Sequence, residues 1–149
     1  MSELRGSTAL DTSTLIEYLT GTATGGTLRD YFTTLTSDET VSASLFALAE
    51  TIYVLCRMKG AQFAEDKLAS ILASTVIDVI SSTELALETG RLKCERAISF
   101  SDCSSLAAAS LADAKAVFAF REDGLLREMG KKPFDVDIVF LQDINASRT

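Results

Sequence analysis

Four short segments of this chain set a carboxylate where α/β proteins gather their chemistry. Asp11 ends the apolar run Ser7-Thr8-Ala9-Leu10 and is followed at once by a helical pattern, Thr12-Ser13-Thr14-Leu15-Ile16. Glu122, with Asp123 beside it, follows a second apolar run, Ala116 to Phe120. Asp102 opens an alanine-rich stretch, in Ser99-Phe100-Ser101-Asp102-Cys103-Ser104. Glu50 lies inside a helical stretch, and its neighbours three and four positions away are Phe46, Ala47, Tyr53 and Val54. A carboxylate in such an apolar stripe is partly desolvated, which is costly unless a cation or a hydrogen bond meets it. In a parallel sheet the carboxyl ends of the strands share one edge, and ligands bind beyond that edge. Asp11 and one of Glu122 and Asp123 would meet there, and flanking helices would bring in Glu50 and Asp102. Converging carboxylates repel one another and call for a divalent cation. Oxygen donors without histidine point to magnesium or manganese. Taken singly, Asp11 reads equally well as a helix N-cap. Asp102 and the Glu122–Asp123 pair read as first-turn charges favoured by the helix dipole. Their ordered recurrence carries the metal reading.

Composition removes the main competitors. The chain has no histidine, and its three cysteines, Cys56, Cys94 and Cys103, are widely spaced. Zinc sites of the His/Cys kind therefore lack ligands, and Ser-His-Asp or Cys-His nucleophile systems lack their base. The formal net charge of −7 argues against a broad phosphate-tracking surface, while a local acidic cluster that holds metal suits it. The N-terminus has no basic segment followed by an apolar one, and no apolar run is long enough to span a bilayer. The expectation is a soluble, cytoplasmic protein without a membrane role. At 149 residues and 47% hydrophobic, one globular domain over 1–149 is expected.

The elements that must hold these acids follow from periodicity. Short β-branched or apolar runs at 7–10, 40–42, 75–80, 116–120 and 136–141 read as strands. Helical faces run over 12–19, 28–35, 44–59, 61–73, from Ser81 or Ser82 to about 96, 101–114 and 124–129. Gly60 stops the third helix. Residues 21–26, rich in glycine and threonine, read as a loop, and 144–149 as a frayed end. Strands alternating with helices imply a parallel sheet covered on both faces.

With these residues in order, the chain resembles the PIN-domain ribonucleases, and within them the VapC-like toxins of toxin–antitoxin pairs. The carriers are Leu10-Asp11-Thr12-Ser13, Ala49-Glu50, Ser101-Asp102 and Phe120-Arg121-Glu122. The resemblance spans nearly the whole chain. It implies a three-layer α/β/α fold with a central, mainly parallel sheet. It also implies a metal-dependent endoribonuclease in which Asp11, Glu50, Asp102 and Glu122 hold Mg2+ or Mn2+, with Ser13 supporting the site by hydrogen bonding. The fourth position departs from the family's usual aspartate, which leaves Asp123 as a rival to Glu122. Single-stranded RNA as substrate, a cognate antitoxin and a homodimer are the implied partners. Arg57, Lys59, Arg91, Lys93, Arg96 and Arg121 are candidates for phosphate contacts. The alternatives are a PIN-like binding module without catalysis, or an RNA-processing nuclease that is not a toxin. Phosphoryl-acceptor receivers fit less well, because no second acid adjoins Asp11. A haloacid dehalogenase pattern would want an aspartate where Ser13 stands.

Overall fold

The computed structural model describes residues 3–147. Five parallel strands form one sheet in the order β3-β2-β1-β4-β5. They are β1 (Thr8–Leu10), β2 (Val41–Ser44), β3 (Ile77–Ile80), β4 (Lys115–Phe118) and β5 (Ile138–Phe140). Between and after them run α1 (Thr12–Leu19), α2 (Ala23–Phe32), α3 (Leu45–Lys59), α4 (Ala61–Ala73), α5 (Thr83–Glu95), α6 (Phe100–Leu111), α7 (Asp123–Lys131) and α8 (Leu141–Ser147). Side chains alternate across each strand, so one strand feeds two cores. Leu10 and Val117 pack with Leu15, Leu28, Leu48 and Leu55 on one face. Ala9, Ala116 and Phe118 pack with Leu106, Ala107 and Ala108 on the other. This is the parallel sheet covered on both faces that the alternation implied, and the three-layer α/β/α arrangement that the resemblance implied. The alanines of α6 let that helix lie close to the middle of the sheet.

Helix starts repeat one device. Asp11, Thr22, Ser44, Ser82 and Ser99 are extended residues whose side chains accept a backbone N–H from the first turn of α1, α2, α3, α5 and α6 respectively. Such caps satisfy a donor that the helix cannot. Gly60, at φ 92°, ends α3 and opens α4 without an intervening loop.

Several boundaries differ from the sequence reading. The segment 21–26 is not a loop: α2 begins at Ala23, capped by Thr22, and ends at Phe32. Gly25 serves a close approach of helices there. A Cβ on it would fall inside contact distance of the Glu17 carbonyl oxygen and 2.7 Å from the Tyr18 Cα, both backbone atoms of α1. Gly25→Ala is therefore expected to push α1 and α2 apart, at a cost of about 2–3 kcal/mol or roughly 5–10 °C in Tm. Thermal unfolding checks this, with Gly26→Ala as the comparison, because nothing lies within 4 Å of a Cβ at Gly26.

At the other end of the chain, residues 144–147, where fraying was expected, belong to α8 (Leu141–Ser147), because Leu141 and Ile144 are buried in the first core. Residues 148 and 149, the end of that expectation, lie outside the described residues. The last strand is correspondingly shorter, at Ile138–Phe140. The alanine-rich helix runs from Phe100 to Leu111 and not to 114, since Asp113 turns the chain at φ 50°. No described helix is long and apolar enough to cross a membrane.

Candidate active site

The chain builds β1, β2 and β3 outward on one side, then returns to lay β4 and β5 on the other. The order reverses between β1 and β4, and open α/β sheets bind ligands at the carboxyl ends of strands at such a switch point. Asp11 follows β1 there, and Glu122 lies beyond the end of β4.

Asp11 is 4% exposed. Its Oδ2 accepts the Ser13 N–H at 3.1 Å and the Ser13 hydroxyl at 2.7 Å, and its Oδ1 accepts the Ser105 hydroxyl at 2.7 Å. Ser13 Oγ in turn accepts the Ala119 N–H at 3.0 Å, which ties the start of α1 to the end of β4. Burial raises the Asp11 carboxyl above the usual carboxylate range. The Ser105 and Ser13 hydrogen bonds pull it down, and the charge on Glu50 pushes it up again. Asp11 is thus both the cap of α1 and a buried acid.

Asp102, in the first turn of α6, is pushed up to about 7. Desolvation contributes most, followed by the charges on Asp11 and Glu122; Glu50 adds to them, and the Ser99 hydrogen bond opposes. No lysine or arginine is among the leading influences on either aspartate. The charges of Asp11, Glu122 and Glu50 thus act on Asp102, and that of Glu50 on Asp11, beside a groove whose wall also carries Lys93. Of Glu122 and Asp123, both exposed, Glu122 acts on Asp102 and lines a groove of about 460 Å³ with Asp102, Ser99 and Lys93, and Asp123 starts α7. Glu50, half-buried as its apolar neighbours require, lines a second groove of about 410 Å³ with Phe46, Tyr53, Phe100, Ser99 and Ser101. Ser99 borders both grooves.

Among the described residues, no three Asp, Glu, Cys or His side chains stand arranged so that they could hold a metal ion. The donor chemistry nevertheless fits a hard divalent cation. All the side chains are oxygen donors; Asp11 and Asp102 are raised by burial, the first further by the charge on Glu50 and the second by those on Asp11, Glu122 and Glu50. A bound cation would reverse that repulsion.

Three of the cations named as phosphate contacts have other work. Arg96 is 9% exposed. It donates to the backbone carbonyls of Glu128, Lys132 and Pro133 and stacks 4.0 Å from the centre of the Phe134 ring. It pins the α7–β5 connection, which corrects its reading as a surface cation. Arg91 is bridged to Glu88 and Glu95, and Arg121 to Asp143. Lys93 remains on the wall of the Asp102–Glu122 groove, donating to the Ile98 carbonyl at 2.7 Å. Arg57 lies over the Tyr53 ring and Lys59 over Phe63.

A family model for the PIN domain matches residues 8–132. The chain belongs to the PIN-domain family. No curated protein sequence matches it. Among solved structures, it is similar to the sarcin–ricin loop cleaving toxin VapC20 of Mycobacterium tuberculosis, at 26% identity and a TM-score of 0.63 over 81% of this chain and 95% of that one. It also shares its fold with a toxin–antitoxin complex from Klebsiella pneumoniae, at 17% identity and a TM-score of 0.61 over 91% of this chain and 98% of that one. VapBC-1 from nontypeable Haemophilus influenzae gives 17% identity and a TM-score of 0.58, covering 93% and 99%. The PIN match contains all four acids, from Asp11 to Glu122, and leaves out β5 and α8.

Within this PIN fold, sequence reasoning named Ser13 and missed the second hydroxyl on Asp11, that of Ser105. Ser105 stands three positions after Asp102, so the two share a helix face. That spacing was the available signal, and the alanines around it drew attention to packing instead.

Proposed function

We propose that this protein is a metal-dependent endoribonuclease that hydrolyses RNA phosphodiester bonds, and that it is the toxin of a VapBC-type pair. What supports the reading is the action of the Glu50 charge on Asp11, and of the Asp11, Glu122 and Glu50 charges on Asp102, near the β1/β4 switch point. PIN membership and the likeness to VapC toxins support it.

Asp11, Asp102, Glu50 and Glu122 would hold Mg2+ or Mn2+. Such an ion, when bound, supplies a water of lowered pKa and positive charge for the phosphoryl oxygens. The chain's own contribution is positional. Ser13 and Ser105 hold the Asp11 carboxylate, Ser99 holds the α6 terminus that carries Asp102, and the α3 helix carries Glu50 to the rim. No side chain needs to be a nucleophile, which agrees with the absence of histidine. The exposed rings of Phe100 and Tyr53 beside Glu50 offer stacking surfaces for unpaired bases, so single-stranded RNA is the substrate this rim suits. The same exposed apolar rim suits coverage by an antitoxin or by a second copy of the chain.

Cleavage of an unstructured RNA by the purified protein is expected to require Mg2+ or Mn2+, to stop in EDTA, and to return when Mn2+ is restored. Cleavage that continues in EDTA would overturn the metal assignment. Mn2+ binding with no cleavage of any RNA offered would favour the binding-module reading.

A further inference from the structure

Three serines on one face of α6 make bonds that packing alone does not ask for. Ser101, Ser104 and Ser105 are all buried, in a helix whose other buried positions are Cys103, Leu106 and three alanines. Ser101 and Ser105 reach the segment that carries Asp11, and Ser104 reaches the cap of α3, which carries Glu50. Ser101 Oγ is 3.3 Å from Thr12 Oγ1, and that threonine also donates to the Ala47 carbonyl of α3 at 3.2 Å. Ser104 Oγ is 2.7 Å from the side chain of Ser44, the residue that caps α3. Ser105 Oγ donates to Asp11 Oδ1. Serine inside a helix commonly bonds back to its own helix's carbonyls, as Ser104 does to the Ser101 carbonyl at 2.7 Å. The bond recorded for Ser105 instead spans 94 residues of sequence.

The geometry around Asp11 gives that bond a specific consequence. Both Ser13 bonds fall on Oδ2. A carboxylate held through one oxygen can pivot about it, whereas a bond to the second oxygen fixes its plane. The Ser105 hydroxyl is the donor on that second oxygen. A carboxylate has about four lone-pair sites; with two filled on Oδ2 and one on Oδ1, a single site on Oδ1 stays open.

We propose that Ser105 is a positioning residue of this site: with Ser13 it fixes the plane of the Asp11 carboxylate, so that one Oδ1 lone pair is presented to the cation held with Asp102. The Ser104–Ser44 and Ser101–Thr12 pairs set the registry of α6 against α3 and α1 around it. This inference rests on the metal-site reading above, but its geometric half stands without metal.

The test compares Ser105→Ala with the parent and with Asp11→Asn. Four readouts are used: a metal-free crystal structure, Mn2+ affinity by electron paramagnetic resonance, thermal unfolding, and single-turnover cleavage with KM for RNA. For Ser105→Ala we expect a folded protein whose Asp11 carboxylate is rotated about Oδ2 or split between two orientations. Its Mn2+ affinity falls about tenfold, in the range typical of residues that orient a metal ligand. Its cleavage rate falls with KM unchanged. An Asp11 orientation identical to the parent's overturns the proposal whether or not metal binds. So does parental Mn2+ affinity in Ser105→Ala when Asp11→Asn has lost it. Parental Mn2+ affinity in Asp11→Asn overturns the metal-site reading instead, leaving the crystal structure of Ser105→Ala to decide the geometric half.

Discussion

Asp11→Asn is expected to lower RNA cleavage by about a thousandfold or more without lowering the melting temperature. The loss follows from charge. A carboxylate that holds a catalytic cation is worth several kcal/mol to the transition state, and about 4 kcal/mol corresponds to a factor near a thousand. The preserved stability follows from the surroundings of Asp11. Burial opposes its ionised form, and Glu50 adds repulsion. Asparagine removes the charge and keeps the shape. Its carbonyl oxygen can accept both bonds from Ser13, and its amide can donate to the Ser105 oxygen once that hydroxyl rotates. Asparagine is also as good an N-cap as aspartate, so α1 keeps its first turn. At neutral pH the variant should melt at or above the parent's temperature. Cleavage of a fluorescent RNA in Mn2+, measured alongside thermal unfolding, separates the two roles of the residue. Cleavage within tenfold of the parent would mean that Asp11 is a helix cap and no more.

The parts of this molecule that the sequence discloses are those whose physical cause is local. A strand buried on both faces reads as a short apolar run, and Thr8–Leu10 does. An acid at its end is visible because the next residue starts a helix. Glu50 was visible because its own helical neighbours are apolar, and the half-buried side chain at the rim agrees with that. What stayed hidden depends on partners far along the chain. Gly25 and Gly26 look like a turn, but the need for Gly25 lies in the backbone of α1. Ile144 looked like a loose end, but the core it joins was set more than a hundred residues earlier, around Leu10, Leu15 and Leu28. Arg96 read as a candidate phosphate contact, but the carbonyls that hold it belong to residues 128–133. Ser105 is the same lesson at the site, since its bond reaches back to Asp11.

The metal-free protein is expected to be more stable near pH 5 than at pH 8, by about 2–4 kcal/mol, and saturating Mn2+ is expected to reverse that order. The folded Asp102 carboxyl is pushed up to about 7 from an ordinary value of 3.8. Between those values the folded chain holds a proton that the unfolded chain has lost. Stability is thus fully present below the unfolded value and declines as pH rises through the folded one, at up to about 1.4 kcal/mol per pH unit. Asp11, raised in the same direction by burial, adds to the decline. The acid limb has a different origin. Glu39, held low by the Thr36 N–H, Glu88 by Arg91 and Glu128 by Lys131 all favour the folded state when ionised. Their contribution is lost as pH falls below the ordinary glutamate range. The maximum should therefore sit near pH 5, between the two limbs. Divalent metal binds the deprotonated acids, so Mn2+ affinity should fall roughly tenfold per unit below pH 7, and its stabilisation should be greatest at pH 8. Thermal unfolding from pH 4 to 8.5, with EDTA and with Mn2+, checks both curves. Asp102→Asn should flatten the decline above pH 5 and leave the acid limb in place. A metal-free melting temperature that rises steadily to pH 8 would show that these carboxylates do not repel one another, and the case for a cation among them would go with it.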